Sequence, residues 1–391
     1  MFKDVYIISY ARTPVGKFGG SLRNVSTIEL ATHVIKNAIA RAAVEPAAVE
    51  EVVMGCVGQY GLNAFLGRIA ALNAGCAIES SGQTVNRLCA SGLQAIVTAA
   101  TAIDHKDMSV VVAGGAENMS GYPFSSFGSR WGLRMGNAEL VDTLLTALIE
   151  PFSGEHIAST AENIAERYGL TRERIDTYAV ESQVRAANAI ANGYFVDEIV
   201  PLEVKDGREI RLFTTDEHPR QTSLEQLAKL KTIFKKDGVV TAGNSSGIND
   251  AAAAMVLMDS ETMQHNNCKP KAKILDYAVS GVDPQYMGMG PVNSTNKLLE
   301  KCGMDIKDIG LWELNEAFAS QAVACMDELN LDPDIVNVNG SGISLGHPIG
   351  ATGAIIAIKL LSEMKRRSIQ YGIATLCIGG GQGLSVLFEN I

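Results

Sequence analysis

No C-x-x-C and no H-x-x-x-H pair occurs anywhere in the 391 residues, so the usual spacings of a zinc site are missing. The seven cysteines are an odd number, scattered from Cys56 to Cys377 without short pairing, which argues against a disulfide framework. Basic charge is also scarce: 33 Lys and Arg stand against 43 Asp and Glu, a net charge of -10. That balance argues against nucleic acid as a partner, because phosphate binding needs a basic surface. The apolar run at Met1–Ser9 is too short for a signal peptide or a membrane span. The final Phe388-Glu389-Asn390-Ile391 matches no peroxisomal or retention tripeptide. No G-x-G-x-x-G follows the first strand-like run, which disfavours a nicotinamide oxidoreductase. The expectation is a reduced, soluble, cytoplasmic protein with no metal and no membrane partner.

Apolar residues are plentiful. Hydrophobic content is 47% and charged content 19%, enough for a large core, and the length suggests two or three domains. The chain also repeats itself once. The strand-like Val5–Ala11 has a counterpart in Ala272–Ala278, each followed by a proline turn at Pro14 and Pro284. Helical stretches follow over Thr27–Ala43 and Ser294–Cys302, then polar openings into apolar strands at Val49–Gly55 and Ile306–Trp312. In the last unit Cys89 opens a helix to Ile103 before a strand ending in Gly114-Gly115. Gly350 opens a helix to about Met364 before a strand running into Cys377-Ile378-Gly379-Gly380. Gly114 and Gly379 lie 265 residues apart, and the earlier units nearly keep that register. Apolar strands alternating with helices imply sheets covered on both faces. The fold expected is α/β, with duplicated halves forming a five-layered α-β-α-β-α body. Residues 1–118 with 250–270 make one half and 271–391 the other, while 119–249 form an inserted lid or binding wall. Within the insertion a polar helix is expected over Thr160–Asn192. Lys229–Lys236, the main basic cluster, is either a solvated face or a dock for a phosphate-bearing group.

Three residues stand out for chemistry. Cys89 precedes Ala90-Ser91-Gly92 at a helix start, with Thr84 and Asn86 available as caps. A helix N-terminus favours thiolate and lowers a thiol from its usual pKa of about 8.5. His347 lies between Gly346 and Pro348, at the equivalent helix start of the second half. A nucleophile and a base would thus meet across the pseudo-two-fold. Cys377 leaves a buried strand into Gly379-Gly380-Gly381, where backbone N–H groups can form an oxyanion hole and the thiol can move a proton. His33, His105 and His265 have no such setting and are expected at the surface.

Six collinear segments carry a resemblance across essentially the whole chain: Asn86–Gly92, Gly114–Ser120, Thr241–Asp250, Asn315–Ala319, Gly346–Gly350 and Cys377–Gly381. Together they resemble the thiolase family, of the acetyl-CoA acetyltransferase type. The resemblance implies that Cys89 accepts the acyl group and that His347 activates it. Cys377 would take the α-proton of the second acyl-CoA, and Asn315 would hold a water that, with His347, receives the thioester oxygen. The N–H groups of Cys89 and Gly379 would form a second oxyanion hole, and His156 would face the substrate from the lid. Ser246 would contact the pantetheine, and Arg220 with Lys229–Lys236 the nucleotide end. Leu148, Phe234, Ala242, Met287 and Phe318 complete the implied binding residues. The implied reactants are acetyl-CoA, acetoacetyl-CoA and CoA, as substrates with no separate cofactor, in a homotetramer built as a dimer of dimers.

Two departures bear on the acyl pocket. Ile157-Ala158-Ser159 follows His156 where acetoacetyl-specific members usually carry Met-Gly, and Ile157 is β-branched and stiff. Gly340–Leu345 also differs from the common Gly-Gly-Ala-Ile-Ala-Leu/Ile. Thiolysis of longer 3-ketoacyl-CoA is therefore the main alternative. A ketoacyl synthase is disfavoured by Cys377. A catalytically silent acyl-CoA or lipid carrier is disfavoured because Cys89, His347 and Cys377 are all present.

Overall fold

The computed structural model describes residues 1–391, apart from the side chain of Asp206. In the first half, strand β1 (Tyr6–Arg12) leads to helix α1 (Thr27–Ala42), then β2 (Glu51–Gly55), α2 (Leu66–Ala74), β3 (Ser81–Val85), α3 (Ser91–Asp104) and β4 (Val110–Asn118). The insertion contributes α4 (Ala158–Arg167) and α5 (Arg172–Ala191) before β5 (Asn249–Met258) returns to the first sheet. The second half follows as β6 (Ala272–Gly281), α6 (Gly290–Cys302), β7 (Leu311–Leu314), α7 (Ala319–Glu328), α8 (Thr352–Arg367), β8 (Tyr371–Ile378) and β9 (Gln382–Asn390). The strand order is β7-β8-β9-β6-β1-β5-β4-β2-β3.

The pairings repeat between the halves. β1 runs antiparallel to β5 as β6 does to β9, and β5 antiparallel to β4 as β9 does to β8. β4 is parallel to β2 as β8 is to β7. β3 beside β2 has its counterpart in the parallel bridge from Trp312 to Val336. Even a local irregularity is copied: β1 shifts register between Ile7 and Ser9, and β6 between Ile274 and Asp276. The two half-sheets join where Tyr6 pairs with Lys273 and Ile7 with Ala272, and backbone bonds from Phe2 N–H to the Leu275 oxygen and from Ile274 N–H to the Val5 oxygen extend the seam.

Apolar periodicity explains the layers. Helices α3 and α8 carry small or branched residues on broad faces and pack together between the half-sheets, in a core holding Leu93, Ile96, Ile355 and Ile358. Helices α1 and α2 cover the outer face of the first half, and α6 and α7 that of the second. The result is the five-layered body expected.

Several boundaries differ from expectation. β4 does not end at Gly114-Gly115 but runs through both to Asn118. A Cβ there would lie 2.0 Å from the Ala253 oxygen at Gly114 and 2.1 Å from the Gly350 oxygen at Gly115, so these glycines permit close approach, not a turn. The stretch Thr160–Asn192 is two helices, α4 and α5, interrupted where Gly169 adopts φ 61°. The two central helices start at Ser91 and Thr352, two residues after Cys89 and Gly350. His105 and His265 are exposed as expected, whereas His33 is half-buried against α1's surroundings, and burial lowers its pKa. No helix is long and apolar enough to cross a membrane among the described residues.

Candidate active site

Residues after β4 and β7 and the turns before α3 and α8 meet around one cleft of about 230 Å³. Cys89 and His347 both line it, from opposite halves of the chain. Larger surface clefts exist, such as one of about 1040 Å³ along Phe2, Lys273 and Tyr371, but it holds no histidine. At about 230 Å³ the cleft is smaller than the ~300–1,000 Å³ of sites for drug-sized ligands, so it suits one arm of a larger molecule.

The Cys89 turn is braced by its neighbours. Asn86 Oδ1 accepts the Leu88 N–H at 2.9 Å, and Ser91 Oγ accepts the Arg87 N–H at 2.9 Å. Leu88 itself adopts φ 46°, the left-handed region that branched residues avoid. Neither Thr84 nor Asn86 caps α3: Thr84 accepts the Gly67 N–H at 3.2 Å, and the Ala90 cap makes no side-chain bond. The expected lowering of the Cys89 pKa is also absent. Burial pushes the thiol up to about 11, and the Gly379 N–H only partly offsets this. Desolvation of the charged form outweighs the helix terminus.

His347 is 5% exposed, and burial alone takes its pKa down to about 4. Its backbone N–H donates to Asn249 Oδ1 at 2.9 Å, and Asn249 Nδ2 donates to the Gly16 oxygen at 3.0 Å. A Cβ on Gly346 would strike Asn249 at 2.5 Å, so the glycine before the imidazole makes room for this clamp. His347 Nδ1 lies 2.7 Å from Thr352 Oγ1, while Nε2 is buried without a partner among the described residues. Both amide atoms of the fully buried Asn315 are likewise without one. Buried polar atoms are normally satisfied, and exceptions concentrate where water or substrate binds.

Cys377 is the last residue but one of β8, 1% exposed, and packs with Met287, Ala317, Phe318 and Ile157, all of which line the cleft. Burial holds its thiol well above the usual range, with Cys89 adding to the shift. Gly379 follows one residue beyond β8, and its N–H favours the charged form of Cys89. His156 stacks on Phe234 with centroids 4.5 Å apart. The Ala158 N–H donates to His156 Nδ1 at 3.2 Å, which leaves the proton of the neutral ring on Nε2.

Leu148, Phe234, Ala242, Ser246, Met287 and Phe318 all line the cleft. Arg220 does not; its exposed guanidinium donates to the Ala242 oxygen at 2.9 Å. From Lys229–Lys236 it is Ile233 and Phe234 that face the cleft, while Lys235 pairs with Glu166 at the surface. Sequence reasoning did not pick out Met119, Ile248 and Ile349 in the lining, nor Thr352 and Asn249 behind His347. Met119 and Ile349 sat inside motifs already noted, and their neighbours alone drew attention.

A buried thiol and imidazole brought together by a duplicated α/β body belong to an enzyme, and relatives identify its class as acyltransferase. The profile "Thiolase, N-terminal domain" matches residues 5–261 and "Thiolase, C-terminal domain" matches residues 268–390. The chain belongs to the thiolase family. It is 48% identical to Beta-ketothiolase BktB of Cupriavidus necator over 100% of both sequences. The crystal structure of the Bacillus anthracis acetyl-CoA acetyltransferase superposes with a TM-score of 0.98 at 46% identity, covering 100% of this chain and 99% of that one. Human mitochondrial 3-ketoacyl-CoA thiolase in complex with CoA gives 0.97 at 41% identity, covering 100% and 98%.

Proposed function

We propose that the enzyme catalyses the reversible condensation of two acetyl-CoA to acetoacetyl-CoA and CoA through an acyl-cysteine. The observation that carries this reading is the unpartnered His347 Nε2 in the cleft that Cys89 also lines. Cys89 Sγ attacks the thioester carbonyl as its proton passes to Nε2; CoA leaves as the thiol with the proton of Cys377, which becomes a thiolate while His347 keeps the Cys89 proton. The second acetyl-CoA gives its α-proton to that Cys377 thiolate, and the enolate carbon attacks the acyl-cysteine and expels Cys89, which takes back its proton from His347. Asn315 and His347 support the enolate oxygen, the former through a bound water, and the N–H groups of Cys89 and Gly379 the tetrahedral oxyanion. Each lost oxyanion donor costs about 3 kcal/mol in such steps. His156 faces the substrate, Ser246 with Leu148, Phe234, Ala242, Met287 and Phe318 holds the pantetheine arm, and Arg220 lies toward the nucleotide. In this reading residues 119–249 form the CoA-binding wall between halves 1–118 with 250–270 and 271–391.

A second reading is thiolysis of longer 3-ketoacyl-CoA, favoured by Ile157 in the cleft lining. Comparing kcat/KM for acetoacetyl-CoA and 3-ketohexanoyl-CoA separates them: higher values on the longer substrate would replace the first reading by the second. Mapping the acetyl label after incubation with acetyl-CoA tests the roles, with Cys89 as the expected position and label confined to Cys377 reversing them. The same reading places the enzyme in the cytoplasm, in fatty acid metabolism, as a homotetramer. Assembly is supported by the solvent-facing Trp131 and Met135, 92% and 97% exposed.

A further inference from the structure

Glu117, near the end of β4, is fully buried and makes no ion pair among the described residues. Its carboxylate is surrounded by donors instead. The Val57 N–H reaches Oε2 at 2.9 Å, and the Gly58 N–H and Tyr122 hydroxyl reach Oε1 at 3.0 and 3.1 Å. Cys56 Sγ lies 3.8 Å from Oε1. The Gly350 backbone, from the turn that carries His347, also faces the carboxylate and favours its charged form. A Cβ on Gly350 would fall 2.4 Å from Oε2, so the turn's backbone rests directly on the carboxylate. Val57 and Gly58 follow β2 in the first half, whereas Gly350 belongs to the second. Ile349 beside it packs with Met119 and Leu144, against Cys89, Val57 and Tyr122.

We propose that Glu117 is a positioning residue for the reaction, docking the His347 turn of the second half onto the strand ends of the first beside Cys89. A carboxylate suits this place because both oxygens must accept. A glutamine would turn an amide N–H₂ toward a backbone N–H on one side or the other, and an aspartate is one methylene short of Gly350. The charge has a second consequence. Among the titratable groups facing it are Cys56, Tyr60, Tyr122 and Cys89, and its negative charge raises the proton affinity of the Cys89 thiol. Burial in turn lifts the Glu117 carboxyl to about 7.

This inference rests on Cys89 and His347 being nucleophile and base. The test compares the full-length parent with Glu117→Gln and Tyr122→Phe, reading kcat, KM for acetoacetyl-CoA, Tm, and the pH profile of Cys89 alkylation by iodoacetamide. Glu117→Gln is expected to lower kcat about 10- to 100-fold with little change in KM, as a displaced base would. It is also expected to move Cys89 alkylation toward lower pH. A purely structural role would lower Tm yet leave turnover per folded molecule and the alkylation profile alone. Tyr122→Phe removes one donor at the edge of the cluster and is expected to lower kcat about threefold, by one neutral hydrogen bond. It keeps the test decisive if Glu117→Gln does not fold. Parent values of kcat and of the alkylation profile in either folded variant would overturn the proposal. A parent enzyme that acetyl-CoA fails to label at Cys89 would remove the underlying reading, which is a different result.

Discussion

The Nδ1 atom of His347 lies 2.7 Å from Thr352 Oγ1, and that hydroxyl gives its only proton to the Pro348 oxygen at 2.9 Å. Thr352 can then only accept from the ring. The neutral imidazole must carry its proton on Nδ1 and present a lone pair at Nε2, the tautomer a base requires. Thr352→Val is expected to lower kcat/KM roughly 10- to 100-fold by freeing the wrong tautomer, and Thr352→Ser to keep most activity. Equal activity of the valine variant would show that the ring is oriented by other contacts.

A resting thiolate is not expected at Cys89. With the thiol pushed up to about 11 and His347 down to about 4, both groups are neutral near pH 7, and deprotonation coincides with acyl transfer. Alkylation of the free enzyme by iodoacetamide should therefore keep rising with pH beyond about 8.5, the value of an ordinary thiol. A plateau near pH 7 would reveal a thiolate–imidazolium pair. The fold favours neutral His347, so its stabilising contribution is full above about 6.5 and lost as pH falls through about 4.

Lys359 and Glu313 form a fully buried pair at 2.9 Å between α8 and β7. Burial raises the Glu313 carboxyl even beside the lysine. Lys359→Met leaves that carboxyl unpaired and should cost about 3–5 kcal/mol at pH 8. A carboxyl raised in the fold is compatible with folding below its unfolded pKa and penalises it as pH rises, so the loss should shrink at pH 5. Denaturant unfolding at both pH values measures this. The same loss at both would mean that packing, not charge, dominates.

Gly115→Ala places a methyl 2.1 Å from the Gly350 oxygen, in backbone that cannot swing aside. A loss of about 3 kcal/mol or more in stability is expected, with kcat reduced because the pushed turn carries His347. A thermal melt beside a kinetic assay gives both readouts, and an unchanged Tm would contradict the close packing of β4 on that turn.

Much of the fold was legible because duplication writes each element twice. The pairing of Val5–Ala11 with Ala272–Ala278 extends to the register shifts after Ile7 and Ile274. Cys89, His347, Leu148, Phe234, Ala242, Ser246, Met287 and Phe318 all line one cleft. What escaped depends on distance in sequence. Gly114-Gly115 reads locally as a strand end, and only contact with Ala253 and Gly350 explains it as close packing. The Cys89 acidity was misjudged because a helix terminus is visible in sequence whereas depth of burial is not. Glu117 looks like one residue of a glycine-rich strand until Val57, Tyr122 and Gly350 converge on it.

The joint between the half-sheets, made by the short seam of β1 with β6, has a consequence for how the chain acquires its chemistry. In the proposed mechanism each half holds only part of the reacting set, and 258 residues separate the Cys89 thiol from the His347 imidazole. Contacts so distant in sequence form late, after each half has condensed locally. A nascent or partly folded chain thus carries cysteines but no thiol–imidazole partnership. In the proposed mechanism competence requires α3 docked against α8, so turnover should track the completion of folding.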